Sequence, residues 1–146
     1  MTVPLRRDFI SATILVSTAA VLAPQVMAQS ALKKHKAVFQ VSDSDPQKWN
    51  LALHNIQNVV DELGAGNVEM ELVAYGPGID MLKSNSPVGK RIAQTLASGV
   101  NVVACENTMK AQNLVHANML ADVGYVPSGV VELMAKQQQG FAYIRP

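Results

Sequence analysis

Val100 to Lys110 reads VNVVACENTMK, a β-branched apolar run that delivers the only cysteine of the chain to a helix start. Val100, Val102, Val103 and Ala104 predict a short buried strand. Asn107 and Thr108 offer side-chain oxygens to the first amides of the following helix, which have no partner inside it. Cys105 then stands at the junction and faces those amides. The helix dipole favours a thiolate there, and cysteines so placed titrate as low as roughly 3.5–7.5. Free cysteine is also among the most often buried residue types, and Ala104 beside it is plain packing. The segment by itself therefore allows a reactive thiol or a structural one.

Upstream, KAVFQVS (Lys36 to Ser42) predicts a first strand, closed by the turn-prone Asp43-Ser44-Asp45-Pro46. Trp49, Leu53, Ile56, Val60 and Leu63 recur at helical spacing and stop at Gly64 and Gly66, which predicts an amphipathic helix. VEMELVA, residues 68–74, alternates apolar residues with glutamate as a second strand. Gly76-Pro77-Gly78 breaks the chain before a helical turn at Ile79 to Leu82. A helix opening at Pro87 or Val88 and running to Ala97 presents Val88, Ile92 and Leu96 inward, with Gly99 just beyond its end. Downstream of the cysteine, Met109, Val115, His116, Met119 and Leu120 predict an irregular helical stretch reaching Gly124-Tyr125. Ser128 predicts the cap of a better-marked helix, with Glu132 as a capping partner and Val130, Leu133, Met134 and Gln137 as its inner stripe. FAYI, residues 141–144, is a last short strand.

Strands separated by helices imply parallel pairing through crossovers, hence a layered α/β fold with a mostly parallel sheet and helices on both faces. Ligands in such sheets sit at the carboxyl ends of strands. Three of those ends supply Ser42-Asp43, Tyr75-Gly76 and Cys105-Glu106-Asn107. The candidate site is therefore Cys105 as nucleophile, with Ser42, Gly76, Gly78, Glu106 and Asn107 around a ligand. Glu106 has a restricted place in it: a carboxylate aimed at the thiol raises its pKa, so thiolate chemistry requires Glu106 to face solvent or another chain. Gly76-Pro77-Gly78 lacks the spacing of a dinucleotide fingerprint and no phosphate-loop lysine follows it, so no nucleotide or flavin cofactor is expected. His54 reads as a boundary residue of the first helix, and His116 reaches the crevice only if its segment folds back.

Met1 to Ala28 has the three zones of an export signal: Arg6 and Arg7, an apolar run from Phe9 to Ala23, then Val26-Met27-Ala28 before the cleavage point. Arg6-Arg7-Asp8-Phe9-Ile10 fits the twin-arginine pattern, which exports folded proteins, although Leu5 and Ser11 depart from it and an ordinary secretory signal also accommodates paired arginines. The apolar run falls short of the roughly 20 residues that span a bilayer and carries Ser11, Thr13, Ser17 and Thr18, so no permanent membrane anchor is expected. These features predict a periplasmic protein with a cleaved signal (1–28), a polar lead (29–35) and one α/β domain (36–146).

Cleavage takes two of the twelve basic residues and one of the eleven acidic ones, so the mature chain is formally neutral. No basic stripe remains, and Lys33, Lys34 and Lys36 form only a short cluster near the new terminus, so nucleic acid is not an expected partner. One cysteine in an oxidising compartment excludes an internal disulfide. Cys105 must then be sheltered, paired with another chain, or reactive. No metal site is expected either, because the cysteine has no second cysteine and His35, His54 and His116 share no ligand spacing.

The mature chain is similar throughout to the DsrE/DsrF-like family of sulfur metabolism. The first strand and the Trp49 helix resemble the family opening, AYGPGIDML resembles its turn after the second strand, and GVNVVACENTMK resembles its Gly-Val-x-x-x-x-Cys-x-Asn-Thr segment. PSGVVELMAKQQQGFAYIRP resembles the closing helix and strand. The resemblance implies a small three-layer α/β sandwich and homo-oligomers, commonly trimers or hexamers. It also implies, for some members, transfer of sulfur as a cysteine persulfide between protein partners. On that basis Cys105 is expected to accept sulfane sulfur from a donor and pass it to an acceptor protein, a step that needs a thiolate. The alternative is an oligomeric, non-catalytic binding module whose cysteine is structural.

Overall fold

The computed structural model describes residues 34–146, so the export signal and most of the polar lead lie outside the described residues. The elements run β1 (His35–Val41), α1 (Pro46–Leu63), β2 (Val68–Ala74), α2 (Gly89–Ala97), β3 (Asn101–Cys105), α3 (Glu106–Ala111), β4 (Gly124–Val126), α4 (Gly129–Gln138) and β5 (Ala142–Ile144). Short 3-10 turns fill Ala65–Asn67, Gly76–Leu82 and His116–Asn118. All five strands are parallel, in the order β4-β3-β2-β1-β5. The layered α/β architecture expected from the alternation of strands and helices is the one the chain adopts.

Register divides the side chains between two faces. Phe39, Leu72 and Val102 align across β1, β2 and β3, and they pack with Trp49, Leu53 and Ile56 of α1 and Ile92 of α2. The opposite face carries Val38, Val73 and Val103, packed with Leu133 of α4 and Phe141. Both faces are covered, which is why the β strands read as nearly continuous apolar runs. Local signals fix the long helix: Pro46 stands in its first turn, and the Asp45 carboxylate accepts from the Gln47 N–H at 2.8 Å. The Trp49 indole N–H donates to the Asp43 carbonyl at 2.6 Å and ties that helix to the end of β1.

Three sequence expectations need correction. The stretch after Cys105 is a six-residue helix, a loop and a 3-10 turn, and Gly124-Tyr125-Val126 is a strand rather than the end of a helix. The residues that suggested one amphipathic helix are split: Met109 and Met119 are buried, while Val115 is exposed. Asn113 adopts a positive φ of 54° just after α3, which ends the helical path. Second, the inner stripe of α4 is Gly129 and Leu133, flanked by the half-buried Glu132 and Lys136. Val130, Val131 and Met134 are instead exposed. Third, Ser128 makes no side-chain cap, and Glu132 pairs with Lys136 at 3.6 Å. The rotation of α4 has two physical causes: glycine at 129 lets the helix seat closely on Tyr75, and Glu71 on β2 draws Lys136 inward.

Candidate functional site

Cys105 ends β3 and is the residue before the first turn of α3, with extended backbone at φ −78° and ψ 114°. Only 5% of it is exposed. Burial pushes the thiol up, but the Thr108 hydroxyl and the backbone N–H groups of Gly129, Thr108 and Asn107 all donate toward the sulfur. Together they hold it below the ordinary value of 9.0. Two chain segments thus converge on one atom. The start of α3 brings Thr108 and its neighbouring amides, and the start of α4 brings Gly129. The two are tied together because the Asn107 N–H also donates to the Pro127 carbonyl at 3.2 Å.

Thr108 is itself oriented. Its Oγ1 accepts the Gly76 N–H at 2.9 Å, which directs the hydroxyl hydrogen to Cys105. Gln112 Nε2 donates to the Gly76 carbonyl at 3.4 Å, so both backbone groups of this glycine are engaged by α3 and the residue after it. Gly76 has a φ of +53°, a conformation that favours glycine. Its place is behind the thiol, as a support for Thr108.

The other expected residues fall into different roles. Val41, Ala74 and Ala104 are register partners, so Ser42, Tyr75 and Cys105 occupy the next row, with the whole of β2 between the serine and the thiol. Two strand spacings amount to about 10 Å. Ser42 Oγ accepts from Gln40 Nε2 at 3.0 Å, and Gln40 accepts in turn from the Tyr143 hydroxyl. Gly78 is buried and packs on the end of β1, where an added Cβ would lie 2.3 Å from the Val41 carbonyl oxygen. Asn107 contributes its amide, while its side chain is exposed. Glu106 has Oε1 3.6 Å from Nε2 of His116, whose ring stacks on Tyr125 with centroids 3.6 Å apart. Those two residues border a cleft of about 310 Å³ with Met109, Lys110, Leu114 and Val115; Cys105 does not line it.

Two sulfur-facing groups are not among the residues the sequence singles out. Thr108 was legible only as a helix cap, although a hydroxyl three residues after the cysteine lies where a helix start turns side chains back. The Gly129 amide carries no local signal, because 24 positions separate it from Cys105. The family assignment follows from this same segment and its surroundings. Residues 27–146 match the model of the DsrE/DsrF-like family. The chain belongs to that family. Among solved structures, this DsrE-family protein is 31% identical to a protein of unknown function, MTH1491, from Methanobacterium thermoautotrophicum. That match covers 77% of this chain and all of the other, with a TM-score of 0.74. The ychN protein of E. coli is 14% identical, with 77% and 99% covered and a TM-score of 0.62. BT1422 of Bacteroides thetaiotaomicron, of unknown function, is 12% identical, with 76% and 95% covered and a TM-score of 0.60. The last two share the fold. No curated protein matches the sequence.

Proposed function

We propose that this DsrE-family protein is a periplasmic sulfur carrier in which Cys105 holds sulfane sulfur as a persulfide. Membership of the family suggests a role related to sulfur metabolism, and the observation that carries the finer reading is the convergence of four donors on the Cys105 sulfur. The thiolate attacks the outer sulfur of a polysulfide or donor persulfide, a new S–S bond forms, and the donor thiolate leaves. An acceptor thiolate then attacks the carried sulfur and Cys105 departs as thiolate, so no net oxidant is consumed. Glu106, drawn to His116, leaves the negative charge on sulfur to the hydrogen-bond donors.

The pH dependence of alkylation tests this. Native protein is expected to alkylate readily near neutral pH, with a profile centred below 9.0. Thr108→Val removes the hydroxyl donor, moves the profile to higher pH and slows the reaction below its midpoint by about threefold if the bond to the thiolate contributes about 1.4 kcal/mol, because the more basic thiolate is also the better nucleophile. A native thiol that reacts only after denaturation sinks the carrier reading. The sign on stability follows from the same direction. The donors stabilise the fold fully above the unfolded thiol's midpoint, near 9.0, and that contribution is lost as pH falls through the lowered folded value.

The second reading, an oligomeric binding module, draws support from the near-complete burial of Cys105 and from the apolar Val130, Val131, Met134 and Tyr143 left exposed around α4 and β5. Homo-oligomerisation is compatible with both readings, as a trimer or hexamer. Light scattering is expected to give a multiple of the monomer mass, and Met134→Glu to reduce it; a monodisperse monomer at micromolar concentration would remove this part of the proposal.

A further inference from the structure

On the α4 side of the sheet, a carboxylate is buried on the face that carries the apolar cluster of Val38, Val73 and Val103. Glu71, in the middle of β2, is only 4% exposed. One oxygen lies 2.9 Å from Lys136 Nζ, while the other, Oε1, is buried without a hydrogen bond among the described residues. Lys136 also approaches Glu132 at 3.6 Å and sits 5.1 Å from the centre of the Phe141 ring. Lys36 of β1 reaches the same ring and pairs with Glu69 of β2 at 3.3 Å. Burial raises the Glu71 carboxyl above its ordinary value despite the ammonium beside it. Well-packed apolar residues at these positions would often hold a helix as firmly, so the pair invites a role other than stability.

Gly129, Leu133 and Lys136 lie one above another on the sheet-facing side of α4. Gly129 rests on Tyr75, Leu133 enters the apolar cluster of Val38, Val73 and Val103, and Lys136 reaches Glu71. Lys136 follows Gly129 by seven residues, about 10.5 Å along the helix. If that far end were released, the helix would pivot on Leu133, and its first amide would leave the sulfur. Hydrogen bonds weaken steeply with poor alignment, so a small pivot is enough.

We infer that the Glu71–Lys136 pair seats α4 so that the Gly129 amide is delivered to Cys105, which makes Glu71 and Lys136 positioning residues for the thiol. This inference rests on the carrier reading of Cys105. It differs in sign from a simple through-space effect. Loss of the Glu71 negative charge would by itself favour the thiolate, whereas loss of the seat disfavours it.

The test is the pH profile of Cys105 alkylation in the wild-type protein, Lys136→Gln, Lys136→Arg and Glu71→Gln, with circular dichroism to establish that each is folded. Both glutamine variants are expected to move the profile to higher pH. At a fixed pH below its midpoint they should react more slowly, by about threefold for every tenfold loss of thiolate affinity, because higher basicity partly restores nucleophilicity. Lys136→Arg is expected to keep the wild-type profile. Faster or unchanged alkylation in Glu71→Gln overturns the inference. If Lys136→Gln does not fold, Glu71→Gln decides alone, since it keeps the side-chain size and removes the charge that draws Lys136 inward. A wild-type thiol that reacts only after denaturation overturns the carrier reading and this inference together, whereas a reactive wild type beside an unchanged Glu71→Gln overturns the inference alone.

Discussion

Exposed to polysulfide, the purified mature protein is expected to gain mass in steps of one sulfur atom, and Cys105→Ser to gain none. Reductant should return the wild-type protein to its starting mass. The contrast is all-or-none because the chain has a single cysteine, so every persulfide must sit on it. Serine keeps the size of the side chain and leaves the Thr108 and Gly129 donors in place, but its hydroxyl is not ionised near neutral pH and cannot open an S–S bond. Burial does not oppose the result by itself. Cys105 ends β3 at the start of α3, where the next residue but one, Asn107, is exposed, so the thiol lies close to the surface. Sulfur additions on both proteins would mean non-covalent association, and a wild-type thiol that alkylates but takes up no sulfur would favour the binding-module reading. The same spectrum reads the processing of the chain: export with cleavage after Ala28 leaves Gln29 as the first residue, and an unprocessed mass from the periplasmic fraction contradicts that expectation.

The parts of this architecture that were legible are those written in local periodicity. KAVFQVS, VEMELVA and VNVVAC carry their apolar character in consecutive residues, and β1, β2 and β3 appear within a residue or two of where the sequence places them. β4 was not legible because three half-buried residues at a sheet edge carry no periodic signal, and Gly124 weakens a strand reading further. The facing of α4 is hidden from the sequence for a different reason. Its hydrophobic residues, Val130, Val131 and Met134, lie outward, and the inward position at Lys136 is held by a charge whose partner is 65 positions away. The carboxyl-end rule placed Ser42, Gly76 and Cys105 along one edge, and the edge is real. Distance along it was beyond the rule: the order of strands decides that Gly76 lies behind the thiol while Ser42 lies two strands off. The amide ring around the sulfur was half legible, since the α3 amides follow from a helix start and the Gly129 amide depends on a fold-level contact.

Gly78→Ala is expected to cost more than about 4 kcal/mol, a large part of the roughly 5–15 kcal/mol that holds a domain folded. Room for a ligand is one reason for glycine at this turn, and packing is the one the geometry supports. The chain leaves β2, turns through Gly76 and presses its 3-10 segment onto the end of β1, burying Ile79, Met81 and Leu82. At position 78 an added Cβ would lie 2.3 Å from the Val41 oxygen, 2.6 Å from its carbonyl carbon and 2.9 Å from the Ser42 Cα. All three are backbone atoms, and Val41 is fixed by its pairing with Ala74 and by the bond from the Tyr75 N–H to its oxygen at 3.1 Å. Nothing flexible is there to move aside, so relief requires the 3-10 segment to lift and expose its three apolar side chains. Those three would forgo roughly 1.5–3 kcal/mol each if fully exposed. Gly66→Ala is the matched control: it has no atom within 4 Å of the new Cβ and is expected to stay within about 0.5 kcal/mol of wild type. Urea denaturation of both variants reads the difference as a shift of midpoint. A Gly78→Ala protein with a wild-type midpoint would show that the segment has slack at β1, and would return Gly78 to the set of residues that leave room for a ligand.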